Sequence, residues 1–328
     1  MTDPGRARRR DGARRLEDEL EEEGGEGAIV PDTPTKAQAE NLSQLLAMHN
    51  ISDSYDPEAE AGTKGYKIPK QVLTDHTDKR RFLTQPGPRG QHVLCHIRRT
   101  RGKAGMFPEY FMYLDDGNTF LMSARKRKKS RSSNYILSLD EEDMARESGN
   151  YFGKLRSNFI GTEFVMFDKG VKPASSAQSV HQPLRTELGA VIYEHNVMGM
   201  KGPRKMTVVL PSVQPDGSRV QYSEGGERIL DRYKKDAGSP NIMVYSNKKP
   251  KWNPSLGAYC LNFNGRVTEA SVKNFQLAKI EDRENGDVAV QFGKIGKDVF
   301  TMDFQWPVSA IQAFSICLSS FNSKLACE

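Results

Sequence analysis

Two basic side chains two residues apart form the first candidate for binding chemistry. Lys154 and Arg156 flank Leu155 within the segment 153–158. If this segment is extended, as the apolar residues that flank it indicate, the two-residue period of a β-strand places both cations on one face and Leu155 on the other. Arginine binds a phosphate through two hydrogen bonds and lysine adds a point charge, so the pair suits a compact polyphosphate. A solvated strand with an ordinary Lys-x-Arg pattern is the alternative.

A run of six basic residues is the second candidate. It lies between two apolar stretches that indicate β-strands, 110–114 and 134–139, and it consists of Arg125, Lys126, Arg127, Lys128, Lys129 and Arg131. Such runs are typical of nuclear localisation signals and nucleic-acid patches, which normally lie on tails or linkers. Because this run interrupts the folded part of the chain, a fixed surface for an anionic partner is favoured.

Two further places carry candidate cations. Arg185 lies in the segment 183–188, and Lys201, Arg204 and Lys205 lie close together in the segment 201–205. In each case an ordinary exposed charge is the alternative.

Signatures of catalysis are missing from the sequence. The six histidines are scattered without metal-ligand spacing, and there is no nucleophile elbow, P-loop or dinucleotide fingerprint. The segment 115–118, Asp-Asp-Gly-Asn, is a turn signal and not a calcium loop. We therefore expect a protein that is not an enzyme and that needs neither a metal nor a cofactor.

The charge is divided unevenly along the chain. Residues 1–60 carry 7 Lys and Arg against 15 Asp and Glu, whereas the remaining residues carry 41 against 27. An acidic arm on a basic body suits an anionic partner, either a nucleic acid or a membrane surface. We expect residues 1–65 to be an acidic and largely disordered arm with a short helix at 35–49, followed by a folded domain at 66–328.

Two absences bear on the location of the protein. No apolar run approaches the ~20 residues that a membrane span needs, so any membrane contact is expected to be peripheral. The four cysteines are widely spaced and form no CxxC motif, which favours reduced thiols inside the cell.

The folded part of the chain has the pattern of a β protein. Short segments rich in Val, Ile, Phe and Tyr alternate with polar residues and are interrupted by Gly, Pro, Asn or Asp. The strands predicted in this way are 92–97, 110–114, 119–123, 135–139, 163–167, 190–193, 206–210, 259–263 and 288–292. So many short strands indicate an antiparallel sandwich or barrel.

The C-terminal region departs from this pattern. Pro307 is suited to the first turn of a helix, and residues 308–321 have apolar or small side chains on every side. A helix that is apolar all round is buried all round, and at about 14 residues this one is too short to span a membrane. The natural place for it is the centre of a barrel, where its serine hydroxyls can bond to the preceding turn.

Several of these segments together resemble the carboxy-terminal domain of the tubby-like family. The resemblance covers about residues 66–328 and is carried by the stretches 124–130, 133–135, 153–158, 201–206, 263–276, 298–303 and 318–328. It implies a closed twelve-stranded antiparallel barrel with a hydrophobic C-terminal helix through its centre.

The resemblance also implies a function. Members of this family bind phosphoinositides, above all phosphatidylinositol 4,5-bisphosphate, in a basic cavity on the barrel surface. The positions that match the headgroup-binding residues are Asn134, Lys154, Arg156 and Arg185, with the basic run as a supporting surface. Animal members carry receptors into cilia through an N-terminal helix that binds the intraflagellar transport machinery.

We therefore expect a monomeric peripheral membrane adaptor in the cytoplasm and on the cytoplasmic face of the plasma membrane. Its partners would be an anionic phosphoinositide membrane, with an intraflagellar transport complex or a receptor cargo as further partners and the cilium as a further location. The alternative is a transcription regulator that binds DNA in the nucleus after release from the membrane. Nucleic acid is the less favoured anion, because the chain offers neither a recognition helix nor a zinc site.

Overall fold

The computed structural model of the chain describes residues 54–55, 65–68, 73, 76–101, 107–127, 132–172, 183–194, 205–253, 258–283 and 286–322. The helix predicted at 35–49 and most of the N-terminal arm lie outside these residues. So do Lys128, Lys129, Arg131, Lys201 and Arg204. The domain boundary at 65/66 therefore stays a prediction.

Fifteen strands and three α-helices follow one another along the described chain. The strands are β1 Ser54–Tyr55, β2 Val93–Arg101, β3 Pro108–Leu114, β4 Phe120–Lys126, β5 Asn134–Ser138, β6 Tyr151–Ser157, β7 Glu163–Asp168, β8 Glu187–Tyr193, β9 Met206–Pro211, β10 Ile242–Asn247, β11 Lys251–Asn253, β12 Ala258–Leu261, β13 Phe275–Lys279, β14 Val290–Gly296 and β15 Val299–Phe304. The helices are α1 His76–Thr84, α2 Ile229–Lys235 and α3 Ala310–Ser320, with a 3₁₀ turn at Ile280–Asp282.

Twelve of the strands close into a barrel. Their order is β10-β13-β14-β15-β2-β3-β4-β5-β6-β7-β8-β9, and β9 pairs with β10 to complete the ring. Each pair of neighbours is antiparallel, so every barrel strand has a hydrogen-bonded strand on both sides and no edge is exposed. The fold class expected from the sequence is thus confirmed.

A smaller sheet lies outside the ring of twelve. It has the order β1-β12-β11 and contains one parallel pair, β1 with β12. The strand predicted at 259–263 belongs to this small sheet and not to the barrel.

The C-terminal helix α3 is buried along its whole length. All eleven of its residues are buried, and its apolar residues form one cluster with the inward-facing side chains of the barrel strands. Ser309 begins the helix with a capping box, in which the side chain of Gln312 reaches back to the Ser309 N–H at 2.9 Å. A helix without a polar face is stable here because the barrel covers every side of it.

The serine hydroxyls of this helix are only partly satisfied as predicted. Ser319 and Ser320 donate to the carbonyls three residues earlier, at 2.6 and 2.7 Å. The hydroxyl of Ser315 is buried and has no hydrogen-bond partner in the described part of the chain. Ser315 therefore does not form the bond to the preceding turn that its position allows.

A second apolar cluster covers part of the outer face of the barrel. It joins residues of β7–β10 to the first turn of α2 and consists of Val165, Phe167, Ala190, Val209, Tyr222, Ile229, Leu230, Ile242 and Val244. The chain between β9 and β10 is thereby fixed against the barrel wall beside β7. This packing matters for function because the same connection carries the side chain of Glu224.

Two searches of the described residues bear on function. None of the helices there is long and apolar enough to cross a membrane. Within the same residues no three His, Cys, Asp or Glu side chains come close enough to hold a metal ion.

Candidate anion-binding site

The strand register brings three of the four predicted headgroup residues onto one face. In the β5–β6 pair, Asn134 lies opposite Arg156, and Ile136 lies opposite Lys154. Leu155 points the other way and is fully buried in the barrel. Because directly opposite residues share a face of a sheet, Asn134, Lys154 and Arg156 all stand on the outer wall.

The basic run joins this wall only in part. Arg125 of β4 lies opposite Ile136, which puts it on the outer face one strand beyond β5, and its side chain is exposed. Lys126 lies opposite Tyr135, whose ring belongs to the barrel core, so Lys126 starts from the opposite face. Arg127 is exposed just beyond the end of β4. Arg125 and Lys126 therefore point to opposite faces of the sheet, so the start of the basic run does not form a continuous basic surface.

An aromatic ring forms the floor of the site. Phe167 of β7 lies opposite Lys154 and is buried. The Lys154 ammonium lies 4.9 Å from the centre of this ring, and the Arg185 guanidinium carbon lies 4.6 Å from it. The negative face of an aromatic ring attracts cations, so one side chain holds both charges side by side.

Arg185 reaches the site through a close approach of two chain segments. Val171 accepts a hydrogen bond from the Arg185 N–H at 2.9 Å. Asp168 accepts from the N–H groups of Gly170 and Thr186, both at 2.9 Å. A Cβ at Gly170 would lie 2.6 Å from the Cα of Arg185, so only glycine allows the two segments to touch.

A carboxylate that the sequence analysis missed completes the cluster. The side chain of Arg185 is only 2% exposed and donates from Nη2 to Oε2 of Glu224. The other oxygen, Oε1, lies 4.0 Å from Nη1 of Arg156. The Nε of Arg185 is buried and has no hydrogen-bond partner among the described residues. Arg185 thus keeps donor capacity that Glu224 does not use.

The electrostatics of the cluster are unbalanced toward positive charge. Burial, together with the positive charges of Arg185, Arg156 and Arg146, lowers the pKa of Lys154 to about 7, and Glu224 offsets only part of this effect. Among guanidinium groups and away from water, the neutral amine of lysine has a lower free energy relative to the ammonium, which explains why the pKa falls.

Glu224 shows the reverse effect. Burial alone would raise the pKa of this carboxyl group, but the hydrogen bond and charge of Arg185, with Lys154 and Lys172, hold it below its ordinary value. Sequence reasoning had no signal for Glu224, Arg146 or Lys172, because each reaches the cluster from a separate connection of the barrel.

One expectation about the surroundings differs in the structure, whereas Lys205 follows the alternative of an ordinary exposed charge. Strand β6 ends at Ser157, so Phe159 and Ile160 do not extend it but lie in the turn before β7, where both are exposed. Lys205 is exposed and forms an ion pair with Glu194 at 3.3 Å, an ordinary surface contact. Asn134 donates to the hydroxyl of Ser132 at 3.3 Å.

The three closely spaced cations, with one carboxylate between them, are suited to binding an anion. Lysine and arginine donate charge-assisted hydrogen bonds to phosphate oxygens, and partial burial strengthens such bonds. Within the described residues nothing in this cluster resembles a nucleophile with its base.

Comparison with known proteins identifies the family. The model of the Tub family matches residues 83–323, which is most of the chain. The chain belongs to the Tub family. The sequence is 46% identical to mouse Tubby-related protein 2 over 257 residues, 76% of this chain and 45% of that protein. It is 39% identical to human Tubby-related protein 3 over 332 residues, 90% of this chain and 74% of that protein.

A more distant animal gives the same result. The sequence is 42% identical to Caenorhabditis elegans Tubby protein homolog 1 over 281 residues, 80% of this chain and 65% of that protein. The chain spans about half the length of some Tub family relatives and about three quarters of others. The matched region includes the whole barrel and the site on its outer wall.

Proposed function

We propose that this Tub family protein is a peripheral membrane adaptor that binds phosphatidylinositol 4,5-bisphosphate through Asn134, Lys154, Arg156 and Arg185. The observation that carries the proposal is the crowding of Lys154, Arg156 and Arg185 around one aromatic ring and one carboxylate. The bisphosphate headgroup bears two phosphomonoesters on neighbouring ring carbons, so its negative charge is concentrated in a small volume, as is the positive charge of the site.

The chemistry assigns a task to each residue. Arg185 supplies a guanidinium that is already oriented by Phe167 and Glu224, and Arg156 supplies a half-exposed one. Lys154 contributes a point charge between them, and Asn134 donates from its amide beside Arg156. Further basic residues near an anionic membrane add roughly 1 kcal/mol each, which is the task proposed for the basic run.

The adaptor part of the proposal is supported by the family resemblance alone. Carriage of membrane receptors to the cilium would need a second binding segment, and residues 1–65 are the natural place for it. The cytoplasmic face of the plasma membrane is the proposed location, because phosphoinositide binding requires it.

Vesicle binding tests the lipid-binding part. The full chain is mixed with vesicles that contain phosphatidylinositol 4,5-bisphosphate, and binding is compared with that of Lys154→Ala/Arg156→Ala. We expect this double variant to lose at least about tenfold in affinity, because each lost contact to a phosphate is worth roughly 1.5–3 kcal/mol. Its melting temperature should stay within a few degrees of wild type.

A matched control separates the site from net charge. Arg81→Ala/Lys279→Ala also removes one arginine and one lysine, both exposed on other elements, α1 and β13. This control should bind the vesicles like wild type. Equal binding by wild type and the Lys154/Arg156 variant would refute the proposal. Tight duplex DNA binding with a steep salt dependence, unchanged in that variant, would support the nuclear alternative.

A further inference from the structure

Two large apolar side chains project from the turn between β6 and β7. Phe159 is 71% exposed and Ile160 is 58% exposed. Among the described residues they are the two most exposed of the large hydrophobic side chains, and they are adjacent in the chain. Single exposed apolar residues are common on protein surfaces, but an adjacent pair on a projecting turn is typical of an interaction site.

The turn that carries this pair is built to hold it outward. The side-chain oxygen of Asn158 accepts hydrogen bonds from the N–H groups of Gly161 at 2.7 Å and of Thr162 at 2.9 Å. Its amide nitrogen donates to the Thr162 hydroxyl at 3.0 Å. Gly161 has a φ of 89°, a conformation that favours glycine. These hydrogen bonds and the glycine conformation fix the backbone of the turn that carries the exposed pair.

The turn lies at the end of the barrel that the basic segments share. Arg156 lies opposite Asn134, so the end of β6 is next to the start of β5. Arg127 is exposed just beyond the end of β4 and its N–H bonds to the carbonyl of Asn134, so it lies at this end of the barrel. Glu163 lies opposite Ile192, so Lys205, which precedes β9, lies at the same end on the other side.

The turn is also close to the proposed headgroup site. Phe159 follows Arg156 by three residues, so their Cα atoms are at most about 10 Å apart. Amphipathic elements that lie at a membrane surface bury their apolar side chains ~5–10 Å into the boundary between headgroups and acyl chains. A protein that holds a headgroup with Arg156 thus has Phe159 and Ile160 within reach of that boundary.

We propose that Phe159 and Ile160 form a membrane-inserting tip that enters the lipid bilayer next to the bound phosphoinositide. The occupant is a bilayer and not a protein groove, because the exposed cations Arg127, Arg156 and Lys205 lie at the same end of the barrel as the apolar pair. In this arrangement the cations would contact the anionic headgroup layer of the membrane, and the apolar pair would contact the hydrocarbon beneath it. The inference rests on the proposed function, since it assigns to that site a second, apolar contact with the same membrane.

The experiment compares the full chain with Phe159→Ser/Ile160→Ser on two ligands. One ligand is a vesicle that contains phosphatidylinositol 4,5-bisphosphate, and the other is free inositol 1,4,5-trisphosphate, which has no acyl chains. We expect the tip variant to bind the free headgroup like wild type and to bind the vesicle about 10–100-fold more weakly, from the burial of two large apolar side chains. Val272→Ser/Ile280→Ser, two exposed apolar residues elsewhere, should change neither.

The outcomes separate this inference from the proposed function. If wild type fails to bind either ligand, or if Lys154→Ala/Arg156→Ala binds both like wild type, the proposed headgroup site is wrong and the inference falls with it. If that variant loses binding while the tip variant binds vesicles like wild type, the headgroup site stands and the tip is refuted.

A spectroscopic measurement tests insertion directly. Phe159→Trp places an indole on the turn, in addition to Trp252 and Trp306 of the natural sequence. We expect its emission to shift to shorter wavelength on vesicles, and to be quenched by brominated acyl chains, relative to wild type under the same conditions. Addition of free inositol trisphosphate should produce neither change. An indole that stays in water on bisphosphate vesicles would overturn the proposal.

Discussion

The affinity for phosphoinositides is expected to fall as the pH rises through neutrality, because of Lys154. Its pKa in the unliganded protein is about 7, lowered by burial and by the charges of Arg185, Arg156 and Arg146. A bound phosphate favours the charged ammonium and raises this pKa toward its ordinary value. Binding above about pH 7 must therefore take up a proton, which costs progressively more as the pH increases.

The magnitude follows from the pKa. If only the ammonium form of Lys154 binds, the apparent dissociation constant increases about fivefold from about pH 7 to about pH 8, and about ninefold over the next unit. Below about pH 7 the remaining change is at most about twofold, because the group is half charged at its pKa and almost fully charged one unit lower. The headgroup phosphates begin to lose their second charge near a pH of about 6, so the useful range lies above that value.

Other groups in the site do not titrate in this range. The pKa of Glu224 is held below its ordinary value, and burial raises the pKa of Tyr151, so both groups keep one protonation state between about pH 7 and pH 9. Vesicle sedimentation across this range measures the effect at constant ionic strength. Lys154→Arg is the matched control, because an arginine stays charged throughout. Parallel pH profiles for wild type and Lys154→Arg would refute the reasoning.

Two other predictions test the electrostatics and the core. Glu224→Gln removes the carboxylate that lies against Arg185 and Arg156, so we expect the variant to bind bisphosphate vesicles a few-fold more tightly and the pH-dependent loss of affinity to begin at lower pH; weaker binding would show instead that Glu224 positions Arg185. Phe314→Ala in α3 should reduce the free energy of unfolding by about 3–5 kcal/mol in urea titration, because it empties space inside the barrel. The same substitution at the exposed Phe159 should cost less than about 0.5 kcal/mol.

The core helix could be predicted from the residues alone, because its pattern is compatible only with a helix that is buried on all sides. A segment with small or apolar residues on every side must be covered on every side, and α3 is. Closure of the barrel could not be predicted in this way. Which strands pair across the ring depends on contacts between distant segments, and that expectation came from the family resemblance.

Three barrel strands, β10, β13 and β15, were missing from the predicted set because buried polar residues interrupt their apolar pattern. Strand β15 shows this most clearly, because its Asp303 is fully buried. Arg266 binds both carboxylate oxygens of Asp303, at 2.6 and 2.8 Å, and the side chain of Gln291 on the neighbouring β14 donates to Asp303 at 2.8 Å. In the sequence, a strand with such polar residues has the pattern of a solvent-exposed segment, although the hydrogen-bond network buries it.

The candidate site was predictable where it depends on strand periodicity and not where it depends on packing. Lys154 and Arg156 share a face because they are two residues apart on β6. Glu224 enters from the connection between β9 and β10, which is held by the outer apolar cluster under α2. No local pattern in the sequence connects residue 224 with residues 154 and 185.

The shape of the charge distribution favours a lipid headgroup over a nucleic acid as the proposed ligand. Duplex DNA carries its charge along a line, with one phosphate per ~3.4 Å of each strand, so tight binding needs cations spread along a groove or helix. Here Lys154 and Arg185 share one phenyl ring, and Arg156 and Arg185 share one carboxylate. Cations this close together suit a line of spaced phosphates poorly, because neighbouring cations would contact the same phosphate. It suits a ligand that bears two phosphates on adjacent carbons, and an apolar turn beside it gives that ligand's bilayer a second point of contact.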